Sequence, residues 1–326
     1  MMCPGCFTIQ TEEGFCKKCL RELFDSRKVS HLLPFNPPAK DTTGTYNDFT
    51  KHLSISGVQI KYSMKLEDTA LALTETGGHY ILKPIPVGQV LHLDHGPANE
   101  HLTMQIARQF FNIAVPANAI LRFNDGSPAY LVRRFDVKKD NSKYQQEDFA
   151  QIAGVTEDTN GKNYKYDLTY EEIGDLIKKY IPMHKVEVEK FLRLVIFNYV
   201  FSNGDAHARN FSVIRSDEGD YLLTPAYDLL CTKIHTPQEA DMALHFFKDG
   251  TFSAAFQAIG YYTSADFLLL GQKLEIKDER TLRIIQEFKD EKKEVHDLID
   301  KSFLNNTTKG LYHQYYSEKV LRLNHK

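Results

Sequence analysis

The densest cluster of polar side chains in this 326-residue chain is Ser-Asn-Gly-Asp-Ala-His-Ala-Arg-Asn at residues 202–210. Within it, Asp205 and Asn210 are five positions apart. The same spacing separates the catalytic carboxylate from the metal-binding amide in phosphoryl-transfer catalytic loops. An aspartate there can accept or orient the proton of a substrate hydroxyl, and the amide oxygen can bind Mg²⁺ beside nucleotide phosphates. The cluster follows an apolar run that ends near Phe201, so a core helix would hold it rigidly at a cleft.

A second carboxylate, Asp228, follows a β-prone segment, and a short hairpin there would return it toward the same cleft. Mg²⁺ prefers carboxylate and amide oxygens and keeps several waters, so Asp228 and Asn210 form a sensible partial shell. A single aspartate in a turn more often makes only an Asx-turn. The ordered pair favours a metal site over that alternative.

The segment Leu-Ser-Ile-Ser-Gly-Val-Gln-Ile-Lys at residues 53–61 has the small residues of a loop that approaches phosphate closely. It contains neither GxGxxG nor GxxxxGKS/T, the two glycine-rich phosphate-binding patterns, so a turn between two strands is the alternative. Its candidate nucleotide-binding residues are Ser54, Ser56, Gly57, Val58 and Gln59.

Two charged residues further along the chain are candidates for the same phosphate site. Lys83 follows the strand-like run Tyr-Ile-Leu and could direct its ammonium at the α- and β-phosphates, although a lone strand lysine is usually solvated. Glu100 lies near the start of an expected helix over residues 98–111. It either pairs with Lys83, as the helix glutamate does in protein kinases, or is a favourable charge near a helix N-terminus.

Four of the five cysteines lie in the first 19 residues and form two CxxC pairs: Cys3, Cys6, Cys16 and Cys19. In a reducing compartment this pattern favours metal over disulfides. Four thiolates satisfy tetrahedral Zn²⁺ and leave no open position for substrate, so the site would be structural. A loose cysteine-rich terminus and a redox pair are the alternatives. The remaining cysteine, Cys231, is expected to be buried in apolar surroundings.

The elements that would position these residues change type along the chain. Residues 32–45 are rich in Pro, Asn, Thr and Gly, which indicates a linker or loop. From about residue 48 to residue 134, short β-prone runs surround the helix over residues 98–111. The second half is mostly helical: we expect Thr169 to cap one helix and residues 186–200 to form a buried one.

We therefore predict an α+β fold with two lobes, a mixed α/β lobe followed by a mainly helical lobe. The predicted divisions are a cysteine module over residues 1–27, an α/β lobe with the ATP loop over residues 28–134, and a helical lobe with the catalytic and metal-binding loops over residues 135–326. The tail from residue 278 to residue 321 mixes charge with spaced apolar residues, which indicates amphipathic surface helices.

Composition limits the classes of partner. The net charge of −3 and a pI near 6.5 argue against broad binding to nucleic acid through surface charge. No stretch approaches the roughly 20 apolar residues of a membrane span. The N-terminus lacks the basic start and apolar run of a signal peptide. The expected location is therefore the cytoplasm, with no membrane partner.

In their order, these motifs resemble the HipA family, bacterial toxin kinases distantly related in fold to eukaryotic protein and lipid kinases. The Ser-Ile-Ser form of the ATP loop looks most like the shorter HipT branch. The matching segments follow the family order between about residues 50 and 230: 54–61, 80–84, 98–100, 132–136, 146–149, 203–211 and 226–228.

The resemblance implies a two-lobed protein-kinase-like fold and an ATP-dependent Ser/Thr protein kinase that uses Mg²⁺. Asp205 would be the catalytic aspartate, and Lys83 would bind phosphate. Asn210 and Asp228 would hold Mg²⁺.

The family resemblance also assigns a hinge and a regulatory serine. The strand around Val132, Arg133 and Phe135 would contact adenine through backbone groups. A serine of the ATP loop, Ser54 or Ser56, would be autophosphorylated, and a phosphate there would repel the phosphates of ATP and switch the kinase off. Arg133 stands where many members have an acidic residue.

By the same resemblance the chain would be the toxin of a toxin–antitoxin pair. It would phosphorylate a protein serine, by analogy in an aminoacyl-tRNA synthetase, and bind a helix-turn-helix antitoxin of the HipB type. DNA would be reached only through that antitoxin. The longer HipA proteins begin with an extra subdomain, which the cysteine module replaces here, so a small separate protein could supply it.

Two other classes of function stay open. One is a non-catalytic kinase-like module that binds nucleotide or antitoxin, although degenerate kinases usually lose a metal or base residue and none is missing here. The other is a metal-dependent hydrolase that uses His207, Asp205 and Asp228, although no HExxH-type spacing supports it.

Overall fold

The computed structural model describes residues 1–37, 53–54, 57–58, 60–138 and 140–325. Two predicted nucleotide-binding residues, Ser56 and Gln59, lie outside the described residues. In the described part of the ATP loop, β1 (Leu53–Ser54) pairs antiparallel with β2 (Gly57–Val58). The described part of the segment therefore consists of two short paired strands.

The cysteine module consists of a tight knuckle followed by a short helix. The knuckle is closed by two backbone hydrogen bonds, from Phe7 N to Cys3 O (3.0 Å) and from Cys3 N to Thr8 O (2.9 Å). The helix α1 (Lys17–Phe24) begins directly after Cys16. Apolar side chains of the module share one buried cluster with the adjoining sheet, so the module is packed into the core of the first lobe.

The first lobe is built on a five-stranded antiparallel sheet. Its strands are β3 (Tyr62–Glu67), β4 (Ala70–Leu73), β5 (Tyr80–Pro84), β6 (Asn118–Arg122) and β7 (Pro128–Arg133). They pair in the order β4-β3-β5-β7-β6, which makes β5 the central strand. Because side chains alternate along a strand, Tyr80 and Leu82 face the core shared with the cysteine module, and Ile81 and Lys83 face the cleft.

The predicted linker is partly ordered against this sheet. Arg122 N donates to His31 O (2.9 Å), and Leu33 N donates to Arg122 O (2.8 Å), so this segment runs beside β6. Apart from an isolated bridge between Leu32 and Arg122, the described residues 32–37 have neither helix nor strand, as predicted for a loop. Residues 38–45 lie outside the described residues.

One long helix, α2 (Gly96–Phe110), packs against β6 and β7. Every residue from Pro97 to Ala107 is buried, since the sheet, the cysteine module and the second lobe surround the helix. The predicted helix is thus present, and its Leu102 and Ile106 side chains lie in the core. Such burial is costly for the charge of Glu100 unless it has an ionic partner.

The second lobe contains a small sheet and nine described helices. The sheet is antiparallel in the order β10-β9-β8, with β8 (Gln146–Asp148), β9 (Ser212–Arg215) and β10 (Tyr221–Leu223). The helices are α3 (Phe149–Ala153), α4 (Glu157–Asn160), α5 (Tyr170–Tyr180), α6 (His184–Val200), α7 (Ala254–Ile259), α8 (Ser264–Lys273), α9 (Asp278–Gln286), α10 (Lys293–Lys301) and α11 (Asn306–Leu323). The predicted α+β fold, mixed first and helical second, is confirmed.

Two helix predictions are confirmed in detail. Thr169 caps α5: its hydroxyl accepts from Glu172 N (3.1 Å), and the Glu172 carboxylate accepts from Thr169 N (2.8 Å). This reciprocal arrangement is a capping box. The apolar helix is α6, which begins two residues earlier than predicted and delivers the chain to the polar cluster at residues 202–210.

The tail forms amphipathic helices, as its composition predicts: α9, α10 and α11 each bury one face and expose another. On the buried face of α11, Tyr312 and Tyr316 are fully buried, and the Tyr316 ring stacks on Phe201 with 5.1 Å between centroids. Phe201 is the C-cap of α6. The buried face of the last helix is thus part of the core beneath the polar cluster.

Candidate active site

Two adjoining cavities lie between the lobes. The larger, about 280 Å³, is lined by Asp205, Asn210 and Asp228. The smaller, about 200 Å³, is lined by Lys83, Val132, Arg133, Phe135 and Asp228. Asp228 lines both, so the side chains singled out from three separate turns and one strand meet in one cleft.

Lys83 is buried at the centre of this cleft. Its Nζ donates to Glu100 Oε1 at 2.6 Å and to Asp228 Oδ1. Burial opposes its charge, but Asp228 and Glu100 raise the pKa of Lys83 above the ordinary lysine value. Of the two sequence interpretations of Glu100, the pairing with Lys83 is therefore the one present in the structure.

Asp228 carries the second ion pair and an unusual backbone. Its φ is +55°, in the left-handed region that non-glycine residues rarely adopt. Lys61 Nζ lies 3.9 Å from Asp228 Oδ2. Although burial opposes ionisation, Lys61 and Lys83 lower the pKa of Asp228, so it is a carboxylate at neutral pH.

The polar cluster forms a loop held by hydrogen bonds. His207 N donates to Asn210 Oδ1 (3.1 Å), and Asn210 Nδ2 lies 3.5 Å from Asp228 Oδ2. Asp205 Oδ1 accepts from Tyr166 Oη (2.6 Å) and lies 3.9 Å from Lys165 Nζ. The loop therefore presents one carboxylate toward the cavity and one amide toward Asp228.

His207 serves as a structural part of this loop. Burial, assisted by the nearby Lys165 charge, lowers the pKa of His207 to about 3, so the ring is neutral. Its ring packs edge to face on Tyr166 with 5.5 Å between centroids. In the part of the chain that the structure describes, the four N-terminal cysteines form the one group of three or more His, Cys, Asp or Glu side chains close enough to share an ion. His207, Asp205 and Asp228 do not form such a group, so the hydrolase alternative gains no support.

The smaller cavity has an apolar wall suited to a flat ring. Ile81, Val132 and Tyr130 line it, and Phe135 stacks on Tyr227 with 6.0 Å between centroids. Aromatic and aliphatic walls of this kind favour a planar heterocycle.

Arg133 is engaged elsewhere. Its backbone N–H donates to Ala117 O (2.8 Å), and its guanidinium makes two hydrogen bonds of 2.9 Å to the Asp25 carboxylate of the cysteine module. Neither the backbone N–H nor the guanidinium of Arg133 is directed at the cavity. A contact between Arg133 and adenine, as the hinge prediction has it, would therefore use the other backbone atoms of Arg133 or the methylene groups of its side chain.

Several residues around the site were not singled out from the sequence. Lys61 is the last residue of segment 54–61, which matches the HipA family, so its position in the sequence could have identified it as a site residue. Tyr166 and Lys165, which contact Asp205, lie in a run without a recognisable pattern. Arg209 bonds Asp148 (3.3 Å) and links the loop to the N-cap of α3, a long-range contact that spacing does not reveal.

The residues present fit a nucleotide and a divalent cation. The ionised Asp228 carboxylate lines the cavity and is partly exposed. The Asn210 amide oxygen uses one lone pair for His207 N and keeps a second. Carboxylate and amide oxygens are ligands that Mg²⁺ accepts.

Comparison with known proteins identifies the family. The profile of the HipA-like C-terminal domain matches residues 53–295. The chain belongs to this family. A Haemophilus influenzae protein named "Putative kinase" is 27% identical over 307 residues, which cover 89% of this chain and 87% of that protein. The Sinorhizobium fredii protein "Putative kinase Y4mE" is 31% identical over 219 residues, 65% of this chain and 50% of that protein.

Two solved structures share the fold of this HipA-family chain. A chain in the Shewanella oneidensis MR-1 complex of HipA, HipB and operator DNA superposes with a TM-score of 0.59 at 18% identity, covering 89% of this chain and 72% of that one. The Helicobacter pylori proinflammatory kinase CtkA gives 0.54 at 14% identity, covering 84% and 92%. The predicted HipA resemblance and the kinase-like fold are confirmed, and placement in the HipT branch stays a prediction.

No helix among the described residues of this HipA-family chain is long and apolar enough to span a bilayer.

Proposed function

We propose that this HipA-family chain is an ATP-dependent Ser/Thr protein kinase with Asp205 as its catalytic carboxylate. The observation that carries the proposal is the meeting of Asp205, Asn210 and Asp228 around one cavity, with the Lys83 ammonium bonded to Asp228. Those groups are what phosphoryl transfer needs: a group for the hydroxyl proton, oxygens for a metal, and a cation for phosphate.

Each residue has a role that follows from its position. Ile81, Val132 and Phe135 would enclose adenine in the smaller cavity, and Lys83, fixed by Glu100, would bind the α- and β-phosphates. Asn210 and Asp228 would hold Mg²⁺, which when bound neutralises the charge that develops on the phosphoryl oxygens.

Asp205 acts on the acceptor hydroxyl. Tyr166 donates a hydrogen bond to one of its oxygens, and Lys165 stands 3.9 Å from the same oxygen. Asp205 would orient the serine hydroxyl and receive its proton as the new P–O bond forms and the bond between the γ-phosphoryl group and the leaving ADP breaks.

Autophosphorylation belongs to the same proposal. Ser54 lies on β1 opposite Gly57, and Ser56 lies outside the described residues. A phosphate on either serine adds nearly two negative charges to the loop that would cover ATP. Repulsion from the nucleotide phosphates would then lower ATP affinity and limit activity.

The proposed biological setting is a toxin–antitoxin pair. The Shewanella oneidensis relative in fold was solved with HipB and operator DNA. We assign to this chain a helix-turn-helix antitoxin of the HipB type as partner, with DNA reached through that antitoxin. An aminoacyl-tRNA synthetase is the proposed protein substrate.

A structural Zn²⁺ on Cys3, Cys6, Cys16 and Cys19 is also part of the proposal. The four sulfurs lie within 4.8 Å of one another. Four thiolates complete a tetrahedral shell, so this ion would take no part in phosphoryl transfer.

The direct test is the intact mass of purified protein before and after incubation with Mg-ATP. We expect added phosphate in the peptide that contains residues 54–56, and no addition in Asp205→Asn. Asp167→Asn, which changes an exposed aspartate of the same lobe, serves as the matched control and should behave like wild type. Nucleotide binding without phosphate transfer to any protein would instead favour the non-catalytic alternative.

A further inference from the structure

The four N-terminal sulfurs already have the spacing of a metal shell. Cys6 Sγ and Cys16 Sγ are 3.7 Å apart. Zn–S bonds of about 2.3 Å give a tetrahedron with edges of about 3.8 Å, whereas a disulfide would bring sulfurs to about 2.05 Å. Cys16 N donates to Cys3 Sγ at 3.3 Å, a bond that stabilises a thiolate.

The knuckle is built around these sulfurs at close range. A Cβ placed on Gly5 would lie 2.7 Å from Cys19 Sγ, so a side chain there would push into the sulfur cluster. Glycine is therefore required for the backbone to pass this close to the fourth ligand.

The same knuckle touches the helix that carries Glu100. His101 follows Glu100 on α2, and its Nε2 lies 3.3 Å from Gly5 O. Burial lowers the pKa of His101 to about 4, so the ring is neutral and donates this bond from Nε2. The Phe7 ring, directly after the knuckle, packs on His101 with 4.6 Å between centroids.

Two more contacts extend this connection along α2. Arg108 Nη2 and Glu22 Oε1 form an ion pair at 2.7 Å. Gln109 Nε2 donates to Cys6 O at 3.4 Å, so one of the proposed ligand residues itself contacts the helix. The module thus contacts α2 from its first turns to its last turn.

The module also holds the strands on the other side of the ion pair. Tyr80, at the start of β5, donates its hydroxyl proton to Leu23 O at 2.8 Å. Ile120 N on β6 donates to Pro4 O at 3.0 Å. Lys83 stands three residues beyond Tyr80 on the same strand, so both partners of the Lys83–Glu100 pair lie on elements that the module contacts.

We infer that binding of zinc by the cysteine module holds α2 in place against β5 and thereby positions the Lys83–Glu100 ion pair, which the nucleotide site needs. This zinc-dependent connection between the module and α2 is named the brace. The inference rests on the proposed function, because it is in that function that the Lys83–Glu100 pair helps to bind nucleotide. Its physical basis is the small size of the module: α1 has eight residues, too few to be stable alone, so the folded module depends both on its packing against the sheet and on an ion at its cysteines.

Loss of the ion releases the contacts to His101, Arg108 and Gln109 together. Glu100 then loses its fixed place, and Asp228 is left as the charged partner of Lys83. Because an ammonium held by Asp228 competes with a divalent cation for that carboxylate, nucleotide binding weakens. Metal state at the cysteines is therefore coupled to the active site without contact between the two.

The experiment uses the purified full chain in three states: as isolated, stripped by chelator, and reloaded with Zn²⁺. Metal content, affinity for a fluorescent ATP analogue with Mg²⁺, and deuterium uptake of residues 96–110 are measured for each. We expect one zinc per chain, a rise in α2 deuterium uptake on stripping, an affinity lower by tenfold or more, and recovery of both on reloading.

One variant tests the brace without touching the ligands. Glu22→Lys places a second positive charge opposite Arg108 and should raise deuterium uptake of α2 and lower nucleotide affinity severalfold, with zinc content unchanged. Glu12→Lys makes the same charge change at an exposed position of the module and should alter none of the three readouts.

The possible results of these experiments distinguish between the zinc assignment, the brace and the proposed function. Unchanged α2 deuterium uptake after complete stripping overturns the brace. A metal-free wild type overturns the zinc assignment and the brace with it. A wild type whose α2 responds to zinc but which binds no nucleotide supports the brace and contradicts the proposed function instead.

Discussion

Glu239 is a half-buried carboxyl group beside the catalytic loop, and its surroundings favour the protonated form. Thr232 Oγ1 accepts from Gly204 N (2.8 Å), and its single proton is within reach of both Ser202 O (3.1 Å) and Glu239 Oε1. The hydrogen bond from Thr232 favours the carboxylate, but burial outweighs it. Burial, with Asp205 nearby, raises the pKa of Glu239 to about 8.

This proton makes stability depend on pH in a defined direction. The folded chain keeps it up to about pH 8, whereas the unfolded chain releases it near the ordinary value of 4.5. Between these limits the folded state binds more protons, so the free energy of unfolding falls as pH rises, by at most about 1.4 kcal/mol per pH unit. Glu239→Gln stays neutral, and urea unfolding at several pH values should show a flatter dependence.

The control for this prediction is Glu218→Gln, which changes an exposed glutamate of the same lobe. It should keep the pH dependence of wild type. Equal slopes for wild type and Glu239→Gln would show that Glu239 is ionised in the folded chain at neutral pH.

Glu100 gives a second prediction at the scale of one residue. In Glu100→Gln the Lys83 ammonium keeps Asp228 as its charged partner, which leaves that carboxylate less available to Mg²⁺. We expect Mg-dependent ATP affinity to fall about tenfold, or about 1.4 kcal/mol. Isothermal titration measures it directly.

Glu187→Gln provides the comparison, since Glu187 is equally buried but lies on α6 and bonds Lys190 and Leu223 N. Both variants should lose stability, because each removes a buried charge partner. Only the change at Glu100 should weaken ATP binding, and equal losses of affinity would argue that general destabilisation is the cause.

At the scale of elements, sequence patterns succeeded where the stabilising interactions are local. The capping box at Thr169 lies within four residues. The apolar residues of α6 indicate directly, from the local sequence, that this helix is buried. The contacts of residues 31–35 with β6 and the packing of α11 on Phe201 depend on partners far away in the chain. Composition predicted the loop and the amphipathic helix, but it could not predict these contacts.

The position of α11 beneath the catalytic loop predicts a large effect of one aromatic residue. Tyr316 stacks on Phe201, and its hydroxyl accepts from Lys292 N at 3.0 Å. Tyr316→Ala removes this buried ring and should lower the free energy of unfolding by about 3–5 kcal/mol. Gln314→Ala on the exposed side of α11 should change it by less than about 0.5 kcal/mol, and denaturant unfolding compares the two. Similar losses would mean that the helix is peripheral.

At the scale of the whole molecule, the site exists only because two lobes meet. Lys83 comes from the first lobe, whereas Asp205, Asn210 and Asp228 come from the second, 122 or more positions later. The sequence indicated which residue types form the site and in which order they occur along the chain. The ion pair between Lys83 and Asp228, and the engagement of Arg133 by Asp25, follow from how the lobes and the module pack, which spacing along the chain does not encode.

The central claim is that residues of both lobes bind one Mg-nucleotide, and a crystal structure with Mg²⁺ and a non-hydrolysable ATP analogue tests it most directly. We expect adenine between Val132 and Phe135, Lys83 on the phosphates, and Mg²⁺ about 2.1 Å from oxygens of Asn210 and Asp228. Nucleotide bound outside this cleft, or Mg²⁺ held without either residue, would contradict it.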